Sequence, residues 1–238
     1  MMKRFLIVVF LVCTGCFATP FFSLGQVPVK QFTTSNFSAE VYKTLQTSVG
    51  KNKIIPALYE KQILIALSYF PELADANIEF RIKHVYTPLS SRPSWLSVFR
   101  KHSNRLYIIT ISDSSKELLA PILLNKMDFN AQVGVLGHEL SHVADFSMKH
   151  TNGLLRIGFG NLSQFFLDKF EFGTDSICIA HGLGYQLLSW SNFIRKAFHS
   201  PNWDGADTAD KPVMKQERYM NPETIRRRIL QDPLYQNK

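Results

Sequence analysis

Residues Gly137-His138-Glu139-Leu140-Ser141-His142 place an H-E-x-x-H pattern inside a run whose apolar side chains repeat at helical steps. Val133, Leu136, Leu140, Val143 and Ala144 recur every three or four positions, so the segment is expected to fold as a helix with one stripe to bury. Residues four apart on a helix share a face, so His138 and His142 can offer two imidazoles to one metal ion. Glu139 stands about 100° round from His138, beside that ion, where a general base toward a water would have to be.

A third ligand narrows the choice of arrangement. One zinc pattern adds a His six residues after the second, with Gly at the third. Met148 and Asp145 stand at those positions and His150 is out of register, so that pattern is excluded. The other common solution takes a carboxylate from a downstream helix. Lys169-Phe170-Glu171-Phe172-Gly173-Thr174-Asp175 supplies E-x-x-x-D, with Glu171 and Asp175 on one helical face. Glu171 can complete a His, His, Glu triad, and Asp175 can hydrogen-bond the outer ring nitrogen of a ligating His. Between them the first helix is expected to end around His150 to Gly153, followed by a loop and a returning helix that Gly173 would let pack closely.

The stretches from Phe129 to Val143 and from Phe170 to Asp175 resemble the gluzincin metallopeptidases of the CAAX prenyl protease and heat-shock membrane peptidase type, over roughly residues 100 to 185. The resemblance implies one Zn2+ per chain bound by His138, His142 and Glu171, with Glu139 as catalytic base. It also implies a zincin-like metallopeptidase domain of α+β class, mostly helical, with a small sheet and two zinc-carrying helices. Its substrate would be a protein or peptide, hydrolysed by a metal-activated water. Thr174 stands where the family often has Ala, and Asn221-Pro222 where it often has His-Pro. If that family His stabilises the oxyanion, another group must do so here, and His181, Tyr219, His199 and Arg218 are the candidates. His84, His102 and His150 have no partner at ligand spacing.

The N-terminus bears on location. Lys3-Arg4 followed by Phe5 to Val12 reads as a signal peptide over residues 1–18, too short an apolar run to span a bilayer. Cys13-Thr14-Gly15-Cys16 resembles a lipobox that would lipidate Cys16, whereas Ala18 would end an ordinary signal, and both readings stand. Either implies export, as a membrane-anchored lipoprotein or as a soluble protein. Processing would leave Cys178 as the one cysteine of a single domain over 19–238, with no intramolecular disulfide. Spaced seven residues from Glu171, Cys178 reads as a small core residue. The net charge of +8 is dispersed except at Arg226-Arg227-Arg228. With no nucleic-acid motif, that run reads as a solvated helix face. The oligomeric state has no sequence signature.

Along the chain, helices are expected at Phe37–Gly50 and Lys53–Phe70, with Leu45, Val49, Ile54, Leu58, Ile63, Leu64 and Leu67 as core and Ser35 or Ser38 as cap. Strands are expected at Asn77–Tyr86 and Arg105–Ser112, the latter at the lip of the cleft, with an irregular loop between them. A helix broken near Pro121 should fill Ser114–Met127, and Tyr185–Phe198 should be helical. A polar loop should run over 200–215, and Asn221-Pro222-Glu223 should open a last helix. Two further readings stay open: a non-catalytic lipoprotein that keeps a structural metal, and a helical scaffold whose His pair binds nothing.

Overall fold

The computed structural model describes residues 27–33, 37–160, 163–200 and 217–236. In chain order it forms α1 (Ala39–Val49), β1 (Lys53–Ile54), α2 (Glu60–Ser68), β2 (Asn77–His84), β3 (Leu89–Pro93) and β4 (Leu106–Ser114). There follow α3 (Phe129–Ser147), α4 (Thr151–Gly160), α5 (Gln164–Cys178), α6 (Gly184–Ala197) and α7 (Pro222–Gln231). The architecture is α+β and mostly helical. The described residues form one sheet of order β1-β2-β4-β3, with β1, β2 and β4 parallel and β3 antiparallel.

Helix α3 is the hub. Asp128 caps its N-terminus, accepting from the Ala131 amide at 2.9 Å. Its flanks meet α2, β3, α5 and α6, which is why even its polar residues His138, Glu139, Ser141 and His142 are buried. The approach to α6 depends on Gly134, where a Cβ would stand 2.1 Å from the Gln186 carbonyl oxygen. A π-helical segment, Ile179–Leu183, joins α5 to α6, and Gly182 bends it with φ of +91°.

Several expectations change in the folded chain. The helix expected over Lys53–Phe70 starts at Glu60, because Pro56 disfavours helical backbone at Ile55. Lys53 and Ile54 instead pair with β2, and Ile54 and Leu58 are exposed rather than core, while Leu45, Val49, Ile63, Leu64 and Leu67 are buried. Ser38 caps α1 through the Val41 amide at 3.2 Å, and Ser35 lies outside the described residues. No α-helix forms over Ser114–Met127. The end of β4 and two short 3-10 turns occupy it, with Pro121 inside the first turn and Leu119, Ile122 and Leu124 buried.

The loop expected between the strands contains β3, and this moves the edge of the sheet. β4 lies between β2 and β3 and is paired on both sides, so β3 takes the place expected for Arg105–Ser112. Where a loop was expected after α3, the chain forms α4. Gly173 meets no neighbour within 4 Å of its would-be Cβ, so it serves no close helix packing. The signal peptide with Cys16 and Ala18, and residues 201–215 of the polar loop, lie outside the described residues. Among the described residues, no helix is long and apolar enough to cross a membrane.

Candidate metal centre

His138 and His142 project from one face of α3, and α5 crosses that face with Glu171. Glu171 Oε2 stands 3.1 Å from His138 Nε2 and 3.2 Å from His142 Nε2. One ligand atom from each of the three residues fits within a 4.8 Å set, so the group could hold a metal ion. The cluster is nearly closed to solvent, with side-chain exposures of 3%, 8% and 12% for His138, His142 and Glu171.

The outer nitrogens decide the chemistry of the inner ones. His138 Nδ1 is 2.8 Å from Asp175 Oδ1, a carboxylate that only accepts, so the ring donates there. His142 Nδ1 is 3.1 Å from Thr174 Oγ1, whose own hydrogen goes to the Phe170 carbonyl at 3.0 Å. His142 therefore also donates through Nδ1. With neutral rings both Nε2 atoms carry lone pairs, and they face an ionised carboxylate. Three acceptors this close, with no donor between them, require a positive charge among them. Ligands bound tetrahedrally at about 2.0–2.2 Å lie about 3.3 Å apart, close to the spacing seen here.

The ionisation of these groups expresses the same demand. Burial opposes charge on Glu171, yet the neighbouring His142 and His138 hold its carboxyl well below the usual range. Burial likewise pushes His138 down, but its hydrogen bonds with Asp175 and Glu171 outweigh this and raise it well above an ordinary imidazole. A bound cation would take the place of that proton and leave both rings neutral. The donor set of two imidazoles and one carboxylate suits a borderline-soft divalent ion of the zinc type.

Around the triad is an aromatic wall. His138 lies 5.3 Å from Trp190 and 5.7 Å from Tyr219, and His142 stacks on Phe170 at 4.9 Å and on Phe146 at 5.9 Å between ring centroids. Glu139 is buried beside His138, and its Oε2 has no hydrogen-bond partner among the described residues. Burial first, then the charges of Glu171 and Glu139, hold the Tyr219 phenol protonated. The tyrosine thus sits within the field of both carboxylates.

Contacts from distant residues hold Tyr219 in place. Arg218 Nε donates to Asp168 Oδ1 at 2.6 Å in a buried pair, and Arg218 also reaches Gln164, so its guanidinium is committed to α5. Asp175 Oδ2 accepts from the Met220 amide at 2.7 Å. The two oxygens of Asp175 therefore fix His138 on one side and the 218–220 segment on the other.

The remaining sequence candidates lie elsewhere. His181 spends one ring nitrogen on the Ile177 carbonyl at 2.8 Å and the other on Glu72 at 2.9 Å, and its ring stacks on Phe70. It is therefore not an oxyanion donor to this triad. His199 ends α6 in a left-handed conformation. Asn221 accepts from Arg195 and precedes α7. Cys178 is fully buried, and a Cβ at Gly137 would come within 3.2 Å of its sulfur. Arg226, Arg227 and Arg228 lie on the exposed face of α7. Sequence reasoning missed Thr174, noted there as a family departure; its position three after Glu171 was the available signal. Comparison with protein-family models, curated proteins and solved structures finds no match to this chain.

Proposed function

We propose that this chain is a zinc-dependent endopeptidase of zincin-like fold that hydrolyses peptide bonds in proteins or peptides. The observation that carries the reading is the convergence of three acceptors from His138, His142 and Glu171, beside the buried, unpartnered carboxylate oxygen of Glu139. His138, His142 and Glu171 would hold the ion, which when bound supplies Lewis acidity toward a carbonyl and acidifies a water. Glu139 takes the proton of the attacking water and delivers it to the departing amine, and its Oε2, without a partner among the described residues, is placed for that task. Asp175 and Thr174 keep the ligating rings in the Nδ1–H tautomer. Tyr219, protonated beside both carboxylates, is the donor toward the developing oxyanion that His181 does not supply. The edge strand β3 packs on α3, and an extended peptide can pair with its open side.

The test is Glu139→Gln in the purified chain. Hydrolysis of a denatured protein mixture should fall by about 10²- to 10⁴-fold while zinc content stays near one per chain. Unchanged hydrolysis removes Glu139 from the chemistry, and retained zinc in a wild-type chain with no hydrolysis of any peptide favours a structural metal. Export, with lipidation at Cys16 or cleavage after Ala18, belongs to the same proposal and is read from the mass of the mature N-terminus.

A further inference from the structure

Among the described residues, five exposed large apolar side chains gather on two neighbouring segments near the metal centre. Trp95, Leu96 and Phe99 follow β3 in a short loop and are 74%, 87% and 77% exposed. Across from them α4 turns out Phe159, 72% exposed, and Leu155, while its other face buries Leu154 and Ile157. A helix apolar on both faces is one that meets a second apolar medium. Between loop and helix lies a pocket of about 490 Å³ floored by Val98, Leu154, Ile157 and Phe146, and Phe146 stacks on the His142 ring.

This surface is built rather than loosely hung. The buried Arg105 guanidinium joins its two halves, donating to the Arg100 carbonyl of the loop, and to the Lys149 carbonyl and Thr151 hydroxyl at the start of α4. Thr151 in turn donates to the Val98 carbonyl at 3.0 Å. The two segments that form it carry charge of a single sign, and the nearby Asp145 is paired with Lys149. No Asp or Glu occurs from 87 to 112 or from 146 to 167, whereas Arg92, Arg100, Lys101 and Arg156 are exposed there.

Trp and Phe side chains in the open, on segments that carry exposed Arg and Lys and no carboxylate of their own, match the interfacial zone of a membrane bearing anionic headgroups. We infer that the Trp95–Phe99 loop and the outer face of α4 form a docking surface for an anionic phospholipid bilayer. The rings enter the headgroup–acyl boundary and the cations meet the lipid phosphates. Docking there sets the metal centre against the membrane surface. The inference stands on this surface alone and does not need the peptidase reading.

The full chain carries an apolar N-terminal run of its own, so the experiment reads position as well as binding. Tryptophan fluorescence is followed as the chain meets vesicles with brominated acyl chains, roughly one-third phosphatidylglycerol and the rest phosphatidylcholine. With Trp203→Phe as the background, emission should be quenched, and adding Trp95→Phe should lose most of that quenching, since Trp190, the tryptophan that then remains, is buried. Leu96→Ser, Phe99→Ser and Phe159→Ser together should weaken vesicle binding at least ~10-fold, as three large apolar side chains are no longer withdrawn from water. Arg92→Glu with Arg156→Glu should abolish the preference for phosphatidylglycerol. A vesicle-bound chain with unquenched Trp95 would overturn the inference in favour of its N-terminal run. Self-association abolished by the same serine substitutions would overturn it in favour of a second copy. Should the triple variant fail to fold by circular dichroism, the quenching with and without Trp95→Phe in the Trp203→Phe background decides alone. Glu139→Gln should dock like wild type, which separates this outcome from that of the peptidase test.

Discussion

Two His–Glu pairs hang from the same helical line, and they differ in what surrounds them. In one, Glu171 on α5 lies 3.1 and 3.2 Å from the inner nitrogens of two buried rings, whose outer nitrogens are already taken by Asp175 and Thr174. In the other, His181 just beyond α5 meets Glu72 at 2.9 Å, half in solvent, with its second nitrogen on a backbone carbonyl. Bond lengths are alike. The first pair, however, gathers three acceptors in a buried pocket, and the second pairs one donor with one acceptor. A shared proton satisfies the second completely, whereas the first has one more acceptor than a single proton can serve. Counting acceptors left without donors thus separates a metal-ligand set from an ion pair better than the presence of His and Glu does.

The largest effect should come from removing one member of each pair. His138→Ala should reduce zinc from about one per chain to near zero in elemental analysis, while His181→Ala should leave it unchanged. Zinc retained by His138→Ala, or lost equally from both, would erase the distinction. A smaller effect is expected at the aromatic wall. Tyr219→Phe keeps the ring against His138 and should lower kcat by about 10²- to 10³-fold with KM little changed, as loss of one oxyanion donor does. A change in KM alone would make Tyr219 a binding residue. Smaller again are the residues that orient the rings. Asp175→Asn and Thr174→Val should each weaken zinc about 10- to 100-fold in chelator competition. Identical affinity in Thr174→Val would mean that the Thr174 hydroxyl does not fix the His142 tautomer.

The smallest effect belongs to the outer pair and depends on pH. Burial opposes ionisation of Glu72, but its bond with His181 keeps the carboxyl below its ordinary 4.5. Burial also depresses His181, but the bonds with Glu72 and the Ile177 carbonyl leave it above its ordinary 6.5. The pair's contribution is therefore complete between those two ordinary values. It is lost as pH falls through the lowered value of Glu72, and again as pH rises through the raised value of His181. Glu72→Gln should cost no more than about 1 kcal/mol near pH ~5.5, with the gap to wild type closing in alkaline solution. A pH-independent difference in melting temperature would assign the loss to packing on Phe70.

What the sequence reveals of the site follows the range of the interaction. His138 with His142, and Glu171 with Asp175, are each separated by one helical turn, so their shared faces can be read from spacing. Tyr219 and Met220 reach the centre from 44 and 45 residues beyond Asp175, through contacts that no local pattern encodes. The sheet shows the same division. β2 and β4 alternate or run apolar and are recognisable, whereas β3 is five residues ending in Pro93 and shows as a strand only once β4 pairs with it. Ile54 and Leu58 share the periodicity of their neighbours but lie outside the core, because Pro56 breaks the helix that would have turned them inward.

The double bond of Asp175, to His138 and to the Met220 amide, limits how portable this centre can be. A chain cut after α6 would keep every expected ligand and both motifs. It would also leave Asp168 without Arg218, and one oxygen of Asp175 without a donor, in surroundings where an unpaired carboxylate costs about 3–5 kcal/mol. The two motif helices are thus not a cassette that can be lifted into another scaffold. Their minimal unit includes the clasp at residues 218–220, and a graft that copies the motifs alone inherits buried charges with nothing to answer them.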